Sequence, residues 1–155
     1  MPRRCLRVIC AAAAMTAAGC GFATEPLLGK LTDAEDQGRD RVELQPGRIY
    51  SEGATGFLVA CPYLPRATVE QVVAATVTDI PSSGLQEGSN ALVITYPKGK
   101  VSVQRFARSA VDFCSRGAPE PILHPIDDEA VFVRDGDTWV LEFLQNSSPT
   151  AGDRH

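Results

Sequence analysis

From residue 56 onward, apolar residues recur at regular spacings, and each spacing predicts an element. Residues 57–61 form an unbroken apolar run closed by Pro62 and Pro65, the pattern of a buried strand. Val69, Val72, Val73, Thr76 and Val77 fall on one helical stripe, and Thr68 with Gln71 three residues on reads as a capping box opening that helix. Pro81 and Ser82-Ser83-Gly84 stop it. Residues 91–96 and 101–106 flank Pro97-Lys98-Gly99-Lys100, which predicts a hairpin with a glycine in its turn. Phe106, Ala110, Phe113 and Cys114 return to helical spacing with Gly117 as a cap, so a second helix is expected over 106–114. Asp135-Gly136 between residues 131–134 and 138–144 is the strongest hairpin signal in the chain. The two-residue period of its last strand places Trp139, Leu141 and Phe143 on one face.

Strand, helix, hairpin, helix, hairpin predicts an α+β domain over 56–145, arranged as a small ferredoxin-like sandwich with an extra edge strand. Ahead of it, residues 21–56 hold Pro26, Pro46 and six glycines among many charges, with no sustained period. Residues 20–55 therefore read as a flexible tether, with a short helix at 27–35 and a first strand at 48–50. The polar residues 146–155 read as a disordered tail.

The first nineteen residues have a different character. Arg3, Arg4 and Arg7 precede an apolar stretch at 8–18, and Ala17-Ala18-Gly19-Cys20 follows. A positive start, an apolar run of about half a membrane span and small residues at its end fit an export signal better than a permanent span. Ala17-Ala18-Gly19-Cys20 resembles the lipobox of bacterial lipoproteins, with Ala17 where leucine is usual. The resemblance implies cleavage after Gly19, lipid on Cys20, and residence on the extracytoplasmic face of a membrane. Arg3-Arg4 leaves the export route open between general secretory and twin-arginine. Cys61-Pro62-Tyr63-Leu64 also resembles a short segment of some lipoproteins of GC-rich Gram-positive bacteria, and no residue role comes with it.

Removal of the signal changes the cysteine and charge counts. Cys5 and Cys10 leave, Cys20 is consumed by lipid, and of five cysteines Cys61 and Cys114 remain, a pair expected to form a disulfide outside the cytoplasm. Without the three leader arginines, 12 basic residues face 19 acidic ones, a formal charge of −7. Such a chain has no footprint for nucleic acid.

Candidate chemistry is sparse. His124 lies in a proline-bearing loop beside Asp127, Asp128 and Glu129, but no Gly-x-Ser-x-Gly nucleophile elbow accompanies it. Zinc needs three or four nitrogen or sulfur ligands, and too few remain. Asp127, Asp128, Glu129, Asp135 and Asp137 are close in sequence without the alternation of a calcium loop, so neither metal nor cofactor is expected. The aromatics Phe57, Tyr63, Tyr96, Phe106, Phe113, Phe132, Trp139 and Phe143 read as core. The expected function is a non-catalytic, lipid-anchored surface domain that binds a cell-envelope protein or component. A small-ligand or lipid carrier is the alternative, and an envelope enzyme comes last.

Overall fold

The computed structural model describes residues 25–50 and 53–145. Over these residues it is a mixed α+β fold of two four-stranded sheets and three α-helices. One sheet runs β1 (Arg41–Leu44), β7 (Glu129–Asp135), β8 (Thr138–Gln145), β5 (Val111–Asp112). The other runs β4 (Val101–Ala107), β3 (Ser89–Thr95), β2 (Gly56–Ala60), β6 (His124–Pro125). The helices are α1 (Pro26–Asp36), α2 (Pro46–Ile49) and α3 (Arg66–Val73).

β2 is buried at all five positions because its two faces serve two cores. Phe57 and Val59, with Leu92 and Ile94 of β3, meet Phe132, Trp139 and Leu141 of the opposite sheet. Leu58 and Ala60, with Ala91 and Val93, meet Val69 and Val73 of α3 and the following Val77, Ile80 and Leu85. The result is three layers, sheet on sheet on helix. A continuous apolar strand is what a central layer demands.

β2, both hairpins and the short helix at 27–35 form where the sequence places them. Four expectations fail, each for a physical reason. Residues 25–50 are not a tether: Leu27, Leu31 and Ala34 of α1 are buried at positions i, i+4 and i+7, and β1 pairs antiparallel with β7. Arg134 of β7 forks onto Glu35 of α1 at 2.7 and 2.9 Å, fixing the far end of the helix to the sheet. Residues 48–50 are not a strand, because Pro46 opens α2 there.

Residues 106–114 are not a helix, and the ferredoxin-like arrangement goes with them. Phe106 pairs with Asn90 near the end of the β3–β4 ladder, a turn follows Ala107, and β5 crosses to the other sheet, parallel to β8. Finally, α3 begins at Arg66, so Thr68 lies inside it and makes no cap; instead Glu70 Oε1 accepts from Val77 N at 2.9 Å beyond its end.

The first prediction follows from α1. Leu31 is fully buried, so Leu31→Ala should cost about 3 kcal/mol through lost burial and the cavity left behind. Urea unfolding reads this as a lower midpoint at unchanged slope. A residue in a tether would give no change.

Candidate functional site

The surface that stands out is assembled by the loop between β5 and β6. Cys61, at the end of β2, and Cys114, just after β5, are joined by a disulfide with an S–S distance of 2.06 Å and Cα atoms 5.9 Å apart. The bridge ties the start of this loop to the Pro62–Pro65 turn. Within that turn Tyr63 adopts a left-handed conformation, φ 63°, rarely taken by an L residue with a side chain. Tyr63 N donates to Leu85 O at 2.8 Å. Gly84, φ 88°, approaches so closely that a Cβ there would come within 2.5 Å of Leu64 O. Locked in this way, the Tyr63 side chain is 63% exposed.

Two shallow grooves flank the loop. One, about 280 Å³, lies between Tyr63-Leu64-Pro65 and Ala118, Pro119 and Pro121. The other, about 270 Å³, lies between Pro119, Glu120, Ile122 and His124 on one side and residues 141–144 of β8 on the other. They share Pro119. The exposed large apolar side chains among the described residues are Tyr63, Ile122, Leu123 and Phe143, and all but Leu123 line these two grooves.

Phe143 reaches it because of a β-bulge. The register shifts between Val131 and Phe132, so Phe132 faces Leu141 while Val131 faces Phe143. The extra residue turns Phe143 out of the face shared by buried Trp139 and Leu141, correcting the simple alternation. β5 pairs with β8 only at Trp139 and Val140, so among the described residues no strand covers that side of β8 beyond Val140. The groove therefore runs along an open strand edge.

Charge frames this edge. Glu142 pairs with Arg41 and lies 3.7 Å from Arg116, and the Arg41 guanidinium sits 5.6 Å over the Phe143 ring. His124 stacks on Phe57 with ring centroids 5.2 Å apart, and its Nδ1 is 3.3 Å from Asp128 Oδ2. Its Nε2 is buried and has no hydrogen-bond partner among the described residues. A histidine acting as general base must reach a nucleophile through that nitrogen. Here it meets neither hydroxyl nor thiol.

The space between the sheets offers little room. A void of about 10 Å³ is lined by Leu27, Tyr50, Phe57, Phe132, Leu141 and neighbouring apolar groups. That is about the size of one water-probe sphere. Tyr50 OH donates to Gln104 Oε1 at 2.9 Å, and burial, with Glu25 and Tyr96 nearby, pushes its phenol above the ordinary range.

Of the residues singled out in the sequence, Cys20 lies outside the described residues, and Cys61 and Cys114 are brought together. The acidic residues are not: Asp127, Asp128 and Glu129 stand at one end of β7, and Asp135 and Asp137 at the other, about 20 Å away at strand rise. Among the described residues no three His, Cys, Asp or Glu side chains gather as a metal would require. Sequence reasoning assigned Tyr63 and Phe143 to the core and passed over Ile122 and Leu123. The signal for them is an apolar side chain beside prolines, Tyr63 between Pro62 and Pro65 and Ile122 after Pro121, where the backbone cannot continue a helix or a central strand. No protein family, curated protein or solved structure matches this chain.

Proposed function

We propose that the protein is an exported, lipid-anchored domain that binds a cell-envelope protein or component, without chemical change, through the paired grooves around Pro119. The observation that carries this reading is the exposure of Tyr63, Ile122 and Phe143 along two grooves that meet at Pro119. Contiguous exposed apolar area of this kind marks interaction sites. The disulfide, the Gly84 contact and the bulge all serve to present it. A carrier would need an apolar cavity of several hundred Å³, and the void between the sheets, about 10 Å³, gives that alternative no support. The anchor is Cys20: two acyl chains hold a protein firmly where one is marginal.

Both parts are testable on full-length protein from its native membrane. Intact mass should show a diacylglyceryl group on Cys20, and unmodified Cys20 in the membrane fraction would end the anchor reading. For the surface, crosslinked partners should be recovered with wild type and with the distant control Asp137→Asn. They should fall at least tenfold with Ile122→Asp/Phe143→Asp. Equal recovery from all three would remove the grooves from the proposal. Both substituted side chains are exposed, so the double variant should melt close to wild type.

A further inference from the structure

We propose that the pole of the domain at the start of α1 lies against the bilayer, where Lys98 and Lys100 of the β3–β4 turn contact anionic phospholipid headgroups. The inference rests on the anchor at Cys20 proposed above.

Reach comes first. α1 begins at Pro26, and Leu27 in its first turn is already core, 3% exposed. Five residue steps separate Cys20 from Glu25, and even fully extended they span about 17 Å. A lipid on Cys20 therefore holds this pole close to the headgroups.

The β3–β4 turn shares the pole. Leu27 lines the inter-sheet void together with Leu44, Ile49 and Tyr50. α2 reaches the same end: Gly47 N donates to Ile126 O at 2.9 Å, and Ile126 N donates to Thr55 O at 3.3 Å. Thr55 N donates to Thr95 O and Tyr96 N to Lys100 O, each at 2.8 Å, so the turn is pinned to the same end of β2 and β3. Lys98 occupies its tip at φ 63°, and Lys100 Nζ lies 5.5 Å over the Tyr96 ring. Both lysines are exposed, and neither forms an ion pair with another described residue.

The anchor sets the orientation, and the two turn lysines add a local attraction. The chain has three lysines: two on this turn, and Lys30 in the second turn of α1. Glu25, Asp127 and Glu129 share the pole, so the attraction is local to the turn. Asp135 and Asp137 flank the β7–β8 turn at the opposite pole, one length of β8 away. Eight strand residues cover about 26 Å, roughly three Debye lengths at physiological salt. An acidic chain that an anionic surface would otherwise repel thus keeps those carboxylates outside its field. Each lysine beside such a surface is worth about fivefold in partitioning.

The lipidated full chain, reconstituted into vesicles, tests this. With Cys20 acylated and Cys61 bonded to Cys114, one introduced thiol is uniquely reactive, so Pro97→Cys and Asp137→Cys can each carry a fluorophore. In phosphatidylglycerol-containing vesicles a bilayer-embedded quencher should quench the Pro97 probe at least threefold more than the Asp137 probe. The difference should narrow in pure phosphatidylcholine and in Lys98→Gln/Lys100→Gln. Equal quenching of the two probes in protein whose mass shows lipid on Cys20 overturns the orientation and leaves the anchor standing. A difference that ignores both lipid charge and the lysine substitutions overturns the headgroup contact. Protein without lipid on Cys20 removes the anchor on which the inference rests.

Discussion

Reducing the Cys61–Cys114 bridge should lower the stability of the domain by about 4 kcal/mol, the loop-entropy value for a closed segment of this length. The two cysteines are 53 positions apart, and β3, β4 and β5 lie inside the loop they close. In the denatured chain the bridge removes most of the freedom of that segment; in the native fold it joins the end of a central strand to the loop that shapes both grooves. For a domain of this size such a loss corresponds to a fall in melting temperature of about 15 °C. Calorimetry of the oxidised protein, the reduced protein and Cys61→Ser/Cys114→Ser reads it directly. The reduced protein and the double variant should agree, and a shift of only a degree or two in both would refute the estimate. Partner capture should weaken as well, since the loop carrying Pro119 and Ile122 loses its fixed end.

Asn90→Ala should cost a similar amount, for a different reason. Asn90 is fully buried on β3, in one sheet, and its side chain satisfies backbone groups leading into the other. Nδ2 donates to Phe106 O at 3.3 Å and to Val111 O at 3.0 Å, while Oδ1 accepts from Phe113 N at 2.8 Å. Truncation leaves three buried backbone groups unanswered, each worth about 1–3 kcal/mol, so a total near 4 kcal/mol is expected. That is a large part of the stability of an ordinary domain. Asn90→Asp should fare no better, because it removes the donor and places a charge beside two carbonyls. Urea unfolding of both variants provides the test; a loss below 1 kcal/mol would show that the corner is held by other means. Cys114 Sγ lies 4.0 Å from Asn90 Oδ1, so the two perturbations should not add, and a double-mutant cycle would measure the coupling.

Asn90 also explains what the sequence concealed. Residues 106–114 satisfy a helical spacing, but only four apolar positions define it, and the choice between helix and strand is made by an amide sixteen or more positions upstream. The segment 25–50 misled in another way. Pro26 and Pro46 stand at the first turn of α1 and α2, and Gly38 lies just past the end of α1 at φ 70°. Residues that read as breakers along the chain are therefore the boundary marks of short elements. The hairpins at 97–100 and 135–136 were legible because their turn residues and flanking strands are adjacent in sequence. Half of the site was legible too: Cys61 and Cys114, the pair expected from the sequence, are bonded. Tyr63 and Phe143 were not, since one depends on the close approach of Gly84 and the other on pairing with β7.

The bulge in β8 makes the surface a matter of parity. Side chains on a strand alternate, so a one-residue change in length exchanges the two faces of everything beyond it. One residue inserted in β7 between Val131 and Phe132 would pair with Glu142, remove the bulge and turn Phe143 onto the face of Leu141, burying one edge of the groove and leaving the β7–β8 turn untouched. A single in-frame codon thus separates a β8 that displays an aromatic side chain from one that hides it. Homologous chains could gain or lose this surface through one insertion or deletion in β7, with every groove-lining side chain retained.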